Sequence, residues 1–354
     1  MIKILHSADW HLDSPIQGRT PEQTQLLQQN LLRLPQRIAA AALSQGCDLM
    51  VLSGDLFDGP ASRESIHALR DALKEAAMPV FITPGNHDPL TAASPWLTES
   101  WPENIHIFKA PVMESVALPE LDCRVYGAGF TGSQAAGVLD GFHCDGSEKH
   151  RIGVFHGEPM QFSSPNGVIS GELVKQTGLD YLALGHIHKG DSFRAGKTLC
   201  AWPGCPMGRG FDELGEKGVL IVTLDESSAQ AQFLPLDDPR FYDWECVAGS
   251  DAAASLSRLL PAVGSYDFYR VTLTGESEAL DLDALLRQFD RFPNLQLRDR
   301  TVPPLDIWGS AGADSLEGVY FAMLRQQLAE RPEAAQLAAR ISRQILEGLE
   351  VTLP

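Results

Sequence analysis

Short apolar runs alternate with longer helical stretches through the first 225 residues. The runs are IKILHSAD (2–9), DLMVLSGD (48–55), PVFITPGN (79–86), RIGVFHGE (151–158) and DYLALGHIH (180–188). They are rich in branched and leucine side chains and have the length of buried strands. Between them, QTQLLQQNLLRLPQRIAAAALSQG (23–46) has helical composition but is interrupted by Pro35. SRESIHALRDALKEAA (62–77) places Ile66, Leu69 and Leu73 at helical spacing behind a capping Ser62. Strands alternating with helices predict an α/β layered fold whose sheets are covered on both faces. TLCAWPG (198–204) and KGVLIVTLD (217–225) read as further strands at the end of this region.

The texture changes near residue 245. YDFYRVTLTG (266–275) alternates like a strand, LDLDALLRQFDRF (280–292) is helical, and NLQLRDRT (294–301) alternates again. A β-α-β unit is therefore expected over 246–306, after a large domain over 1–245. The linker VPPLDIWGSAGAD (302–314) leads into the segment 307–354. Two amphipathic helices follow it, one carrying Leu316, Tyr320, Leu324 and Leu328, the other Leu337, Ile341 and Ile345. Asp314 and Glu317 are spaced as a capping box for the first.

The composition, 44% hydrophobic and 21% charged, is that of an ordinary globular chain. There is no apolar run of about eighteen residues, so no membrane-spanning helix is expected. MIKIL reaches His6 and Asp9 too soon for a signal-peptide core, and a cytoplasmic location is expected. The six cysteines match no zinc or redox spacing and are expected to be reduced thiols. The net charge of −18 opposes polyanion binding by the chain alone. Region 250–354, with ten Arg, no Lys and fifteen acidic residues, contributes −5 of it. Bound divalent metals, or a partner with a basic surface, would reconcile such a chain with a nucleic acid.

Functional groups in open α/β sheets collect at the carboxyl ends of strands, and all five runs carry Asp, Asn or His at or near that end. Asp9, His11, Asp55, Asn86, His87, His156, His186 and His188 are oxygen and nitrogen donors without a thiolate, a set suited to Mn²⁺, Fe or Zn. Each stretch alone has an ordinary reading as a turn or a satisfied histidine; their joint occurrence at five strand ends does not. Seven donors, leaving out His87, exceed what one ion needs and suit two ions sharing a carboxylate. Asp55 is the expected bridge, with Asp9, His11 and His188 on one ion and Asn86, His156 and His186 on the other. Asp88 either orients His87 or caps a helix, and Trp10 is expected to pack beneath the site.

DWH, GDLFD, GNHD, a lone His after a strand, and GHIH, taken in this order, resemble the calcineurin-like metallophosphoesterase superfamily over residues 1–225. LHSADWHLDSPIQG, YLALGHIHKG and PGCPMGRGFDELGEKGVLIV are similar to its DNA-repair exonuclease branch, the SbcD-like and YhaO-like nuclease subunits. The resemblance implies a two-layer β-sandwich flanked by helices, a small α/β capping domain and C-terminal helices. It implies two divalent ions, usually Mn²⁺, with His87 as the catalytic histidine. It further implies phosphodiester hydrolysis in DNA, as a 3′→5′ exonuclease and in some members an endonuclease. The partners it implies are DNA and an SbcC/YhaN-like ABC-type ATPase, on whose coiled coil the C-terminal helices dock. A homodimer is left open.

Two departures touch substrate width and partner contact: Asp13 stands where Gly is usual, and the capping and C-terminal regions are short. Arg209, Phe211, Arg298 and Arg300 are candidate substrate contacts, against the plainer readings of loop packing and a solvated strand edge. The competing functions are a phosphoesterase for small nucleotides or protein phosphoesters and a non-catalytic adaptor of an ATPase.

Overall fold

The computed structural model describes residues 1–16, 20–132, 137–158, 169–226 and 228–351, and the chain forms two compact units, Met1–Tyr242 and Asp243–Pro354. In chain order the first unit contains β1 (Ile2–Ser7), α1 (Pro21–Ser44), β2 (Leu49–Leu52), α2 (Arg63–Ala76), β3 (Val80–Ile82), α3 (Pro95–Thr98), β4 (Ile105–Ile107), β5 (Glu114–Leu118), β6 (Cys123–Gly127) and β7 (His150–His156). It continues with α4 (Gly171–Thr177), β8 (Tyr181–Gly185), β9 (Asp191–Ala195), β10 (Thr198–Trp202), β11 (Gly218–Leu224) and β12 (Ala229–Pro235).

Two six-stranded sheets result, ordered β12-β11-β1-β2-β3-β4 and β5-β6-β7-β8-β10-β9. Alternation along the strands sends every second side chain to the space between them. There Ile4, Val51, Phe81 and Val222 of the first sheet share one core with Val125, Val154, Tyr181 and Ala183 of the second. The other face of the second sheet holds Tyr126, Phe155, Leu182 and Trp202 with Val174 of α4. The fold is thus an α/β sandwich of two sheets with helices outside. β1, β2 and β3 run parallel, as do β7 and β8, so their carboxyl ends point the same way within each sheet.

Ser62 caps α2 as its sequence predicts, accepting from Ser65 N–H at 3.1 Å, and Ile66, Leu69 and Leu73 are buried. The interruption expected at Pro35 is absent: α1 is one 24-residue helix. Proline inside a helix costs about 3 kcal/mol, and burial of Leu27, Leu31, Leu34, Ile38 and Ala42 on the same helix offsets it. All six cysteines are free thiols. Among the described residues no helix is long and apolar enough to cross a membrane.

The second unit carries a three-stranded sheet, β13 (Phe241–Val247), β14 (Phe268–Thr274) and β15 (Leu295–Asp299), with β14 central. The helices are α5 (Ala252–Leu259), α6 (Leu282–Gln288), α7 (Leu316–Gln327) and α8 (Pro332–Leu346). β14, α6 and β15 form the expected β-α-β crossover with parallel strands; β13 and α5 are additions to it. The cap of α7 is Ser315, whose hydroxyl accepts from Gly318 N–H at 2.9 Å, and not Asp314. A hydroxyl one residue closer to the first turn reaches the unpaired amide, and Glu317 is left to pair with Arg343.

Candidate metal centre

Backbone geometry at the strand ends is unusual. Seven non-glycine residues among those described have left-handed φ, and four are donor candidates: Asp9 (55°), His11 (49°), Asp55 (52°) and His186 (96°). Such conformations cost roughly 1–3 kcal/mol each and persist where surrounding structure enforces them. The loops enforce one another. Asp9 N–H donates to Gly54 O at 3.0 Å, His11 N–H to Asp55 O at 3.0 Å, and His186 N–H to the Asp9 carboxylate at 3.0 Å.

Glycine permits this closeness. A Cβ on Gly54 (φ +91°) would lie 2.5 Å from His156 Nδ1, and one on Gly185 would lie 2.0 Å from Ser53 O. Each glycine immediately precedes a donor, Asp55 or His186.

Two groups of side chains converge. In one, Asp9 and His11 are buried and His11 Nε2 lies 3.1 Å from His188 Nε2. In the other, His156 Nε2 lies 2.9 Å from Asn86 Oδ1 and 3.3 Å from Asp55 Oδ2, and His186 Nδ1 lies 3.2 Å from Asn86 Oδ1. Asp55 stands between them, with Oδ2 also 3.9 Å from His11 Nε2, while its Oδ1 accepts His87 N–H at 2.8 Å. His156 donates from Nδ1 to Ser53 O at 2.9 Å, which leaves Nε2 as the nitrogen facing the oxygens.

Burial and close charges displace the titration of several of these groups. Burial, against His156 and with help from the Asp55 carboxylate, pushes Asp9 up to about 6. Burial, joined by the Arg209 guanidinium, pushes His11 down to about 3. Burial opposes charge on His156, yet Asp55 overrides it and holds the ring up at about 9. His11 Nδ1 is buried with no hydrogen-bond partner. Lone-pair donors come this close only around a proton or a metal cation, and the donor set is that of a divalent metal. The residues fit two ions.

Neighbouring groups sharpen the arrangement. His87 is about half exposed at the rim, its ring 4.8 Å from that of His11, with Nδ1 2.8 Å from Asp58 Oδ1. Asp88 fills neither role expected of it. It is buried and accepts N–H groups from Gly85 (2.7 Å), Leu56 (2.9 Å), Asp55 and Phe57 (both 3.3 Å), tying the β2 and β3 ends together. The partner of His87 that sequence reasoning does not supply is Asp58, three residues after Asp55 in GDLFD. Trp10 is buried and donates to Ser7 Oγ at 2.8 Å.

The candidate substrate contacts divide. Arg209 lies beside His188, with its guanidinium bound to Glu213 and, at 3.2 Å, to Ser14 Oγ. Phe211 packs edge-on against Phe241. Arg298, on β15, and Arg300, just after it, belong to the second unit. Glu213, buried beside His188, carries no sequence signal of its own in the loop between β10 and β11.

Residues 2–190 match the family described as calcineurin-like phosphoesterase. The chain is 28% identical over 250 residues to the uncharacterized metallophosphoesterase YhaO of Bacillus subtilis (strain 168), covering 66% of this chain and 60% of that protein. It is 27% identical over 273 residues to the SbcD component of the SbcCD nuclease of the same organism, covering 62% of this chain and 66% of that one. The match thus spans less than two thirds of either relative's length. Among solved structures, a dimetal phosphatase from Danio rerio aligns at 11% identity with a TM-score of 0.43, over 66% of this chain and 98% of that one.

Proposed function

The chain belongs to the calcineurin-like phosphoesterase family, and on that premise we propose that it is a dinuclear-metal DNA nuclease, a 3′→5′ exonuclease working with an SbcC-like ABC-type ATPase. The observation that carries the hydrolytic reading is the convergence of seven strand-end side chains into two clusters joined at Asp55. Asp9, His11 and His188 would hold one ion and Asn86, His156 and His186 the other, with Asp55 facing both. When bound, such ions supply Lewis-acid charge to phosphoryl oxygens and lower the pKa of an attacking water; Mn²⁺ is the ion we assign.

The remaining steps fall to side chains. His87 is close enough to the clusters to address a bound phosphate and exposed enough to meet a substrate. Asp58 anchors its Nδ1 and leaves Nε2 to protonate the leaving oxygen. Asp88 holds the loops of Asp55 and His87 in fixed register through its four amide donors.

The nuclease reading rests on similarity to the SbcD component of SbcCD; the net charge of −18 means that such a chain would need a partner or bound metals to approach DNA. Arg298 and Arg300 of the second unit are the proposed contacts to the phosphate backbone. On α7, Leu316, Val319, Tyr320 and Met323 are exposed at i, i+3, i+4 and i+7, the spacing of a helix that seats on an apolar partner. That face is the proposed ATPase contact.

The test incubates the Mn²⁺-loaded protein with end-labelled duplex DNA and with a small chromogenic phosphodiester, Asp55→Ala serving as control. Shortening of DNA from its ends supports the nuclease. Turnover of the small ester alone would replace it with a small-substrate phosphoesterase. Silence on both, with an SbcC-like ATPase added, would make the chain an adaptor.

A further inference from the structure

The segment between β10 and β11 clamps His188 from two sides. Cys205 N–H donates to His188 O at 3.2 Å, and a Cβ on Gly204 (φ +78°) would lie 2.9 Å from the same oxygen. On the side-chain face, Glu213 Oε1 meets His188 Nδ1 at 2.8 Å. Glu213 is 5% exposed, and its carboxylate also receives Arg209, through the backbone N–H at 2.9 Å, Nε at 3.2 Å and Nη2 at 2.5 Å. A buried carboxylate so fully donated to is rigid and remains an acceptor.

An imidazole can offer either nitrogen to a cation, and the hydrogen bond at one decides which. We propose that Glu213 is a positioning residue: by accepting from His188 Nδ1–H it commits Nε2 to the Asp9–His11–His188 cluster, and Arg209 holds Glu213 in place for that task. The effect of Glu213 on metal affinity rests on the dinuclear reading, whereas its effect on the His188 tautomer does not. Arg209 thereby gains a positioning role through Glu213, beside the substrate contact expected of it.

The experiment has two arms. In metal-free full-length protein labelled with ¹⁵N-histidine, at a pH where the ring is neutral, His188 is expected as the Nδ1–H tautomer. Glu213→Ala is expected to shift it toward Nε2–H, with His188→Asn assigning the signal. In a Mn²⁺ titration followed by electron paramagnetic resonance of the free ion, Glu213→Ala weakens one equivalent by about 10–100-fold and leaves the other unchanged. Glu213→Gln, which keeps an acceptor oxygen, loses less. Glu213→Met, of similar length and with only a weak thioether acceptor, replaces the alanine variant if that one does not fold. An unchanged tautomer in Glu213→Ala, or equal weakening of both equivalents, would overturn the proposal. Failure of the wild-type protein to take up Mn²⁺ would overturn the dinuclear reading instead, and the tautomer would still decide the role of Glu213.

Discussion

His11 and His188, 177 residues apart in the chain, bring their Nε2 atoms to 3.1 Å, while His186, two residues from His188, turns to Asn86 in the other cluster. The left-handed backbone of His186 (φ 96°) accounts for the divergence, because neighbours at i and i+2 share a face only in regular strand geometry.

Each histidine of GHIH should therefore govern its own ion. We expect His188→Ala to lower bound Mn²⁺ from two equivalents to one, and His186→Ala to remove the other. Metal analysis after dialysis, with titration of the remaining equivalent, checks this. Loss of both ions from either variant would mean the clusters are not separable.

Asp58 should matter chiefly through His87, which it meets at 2.8 Å, whereas His11 Nδ1 is 3.9 Å away, too far for a hydrogen bond. His87→Asn is expected to lower kcat by about 10²–10⁴-fold, the usual reach of a general acid. Asp58→Asn should lower it less, with KM and metal content close to wild type in both. A rise in KM at constant kcat for Asp58→Asn would place it in substrate binding.

His6 provides a pH signature separate from the metal centre. It is fully buried between Tyr181 OH (2.7 Å) and Ser53 Oγ (2.8 Å), and burial pushes its pKa from 6.5 down to about 3. The unfolded chain thus binds a proton here that the folded chain refuses. The stability it contributes is complete above pH 6.5 and falls as pH drops from there toward 3. Between pH 7 and 5 the loss is about 2 kcal/mol from this residue. His6→Gln should be less stable at pH 7 yet show a flatter decline, read from urea midpoints at the two values; parallel declines would show that His6 protonates without cost.

In the second unit, Arg343 is buried over the Phe321 ring (4.4 Å) and pairs with Glu317 and Ser310. Arg343→Met keeps the apolar contact and removes the charge. We expect a loss of about 1–3 kcal/mol, because Glu317 is partly solvated and is not left as a fully buried charge. Thermal melts of the full chain with and without Glu317→Gln test this; the double variant should lose little beyond the single one.

What was readable in the chain followed from burial. β1, β2, β3, β7 and β8 lie inside their sheets and are largely apolar and buried, so their ends, and the donors there, could be located. The edge strands β5, β9 and β12 expose much of their length, and their sequences ESVAL, DSFRA and AQAQFLP carry little apolar signal. The helix through Pro35 was hidden because local propensity argues against it and only tertiary packing argues for it. Asp58 and Glu213 were hidden for another reason. Each acts on a histidine distant in sequence, 29 and 25 residues away, and no local spacing records such a pairing.

Four of the donor candidates occupy turns that ordinary side chains avoid, and each turn is held by the next loop's amides and carbonyls. The portable part of this centre is therefore a set of interlocked bends and not a list of amino acids. Copying Asp9, His11, Asp55 and His186 onto the regular strand ends of another scaffold would aim their side chains elsewhere. A graft that carries whole loops, glycines included, would reproduce the aim.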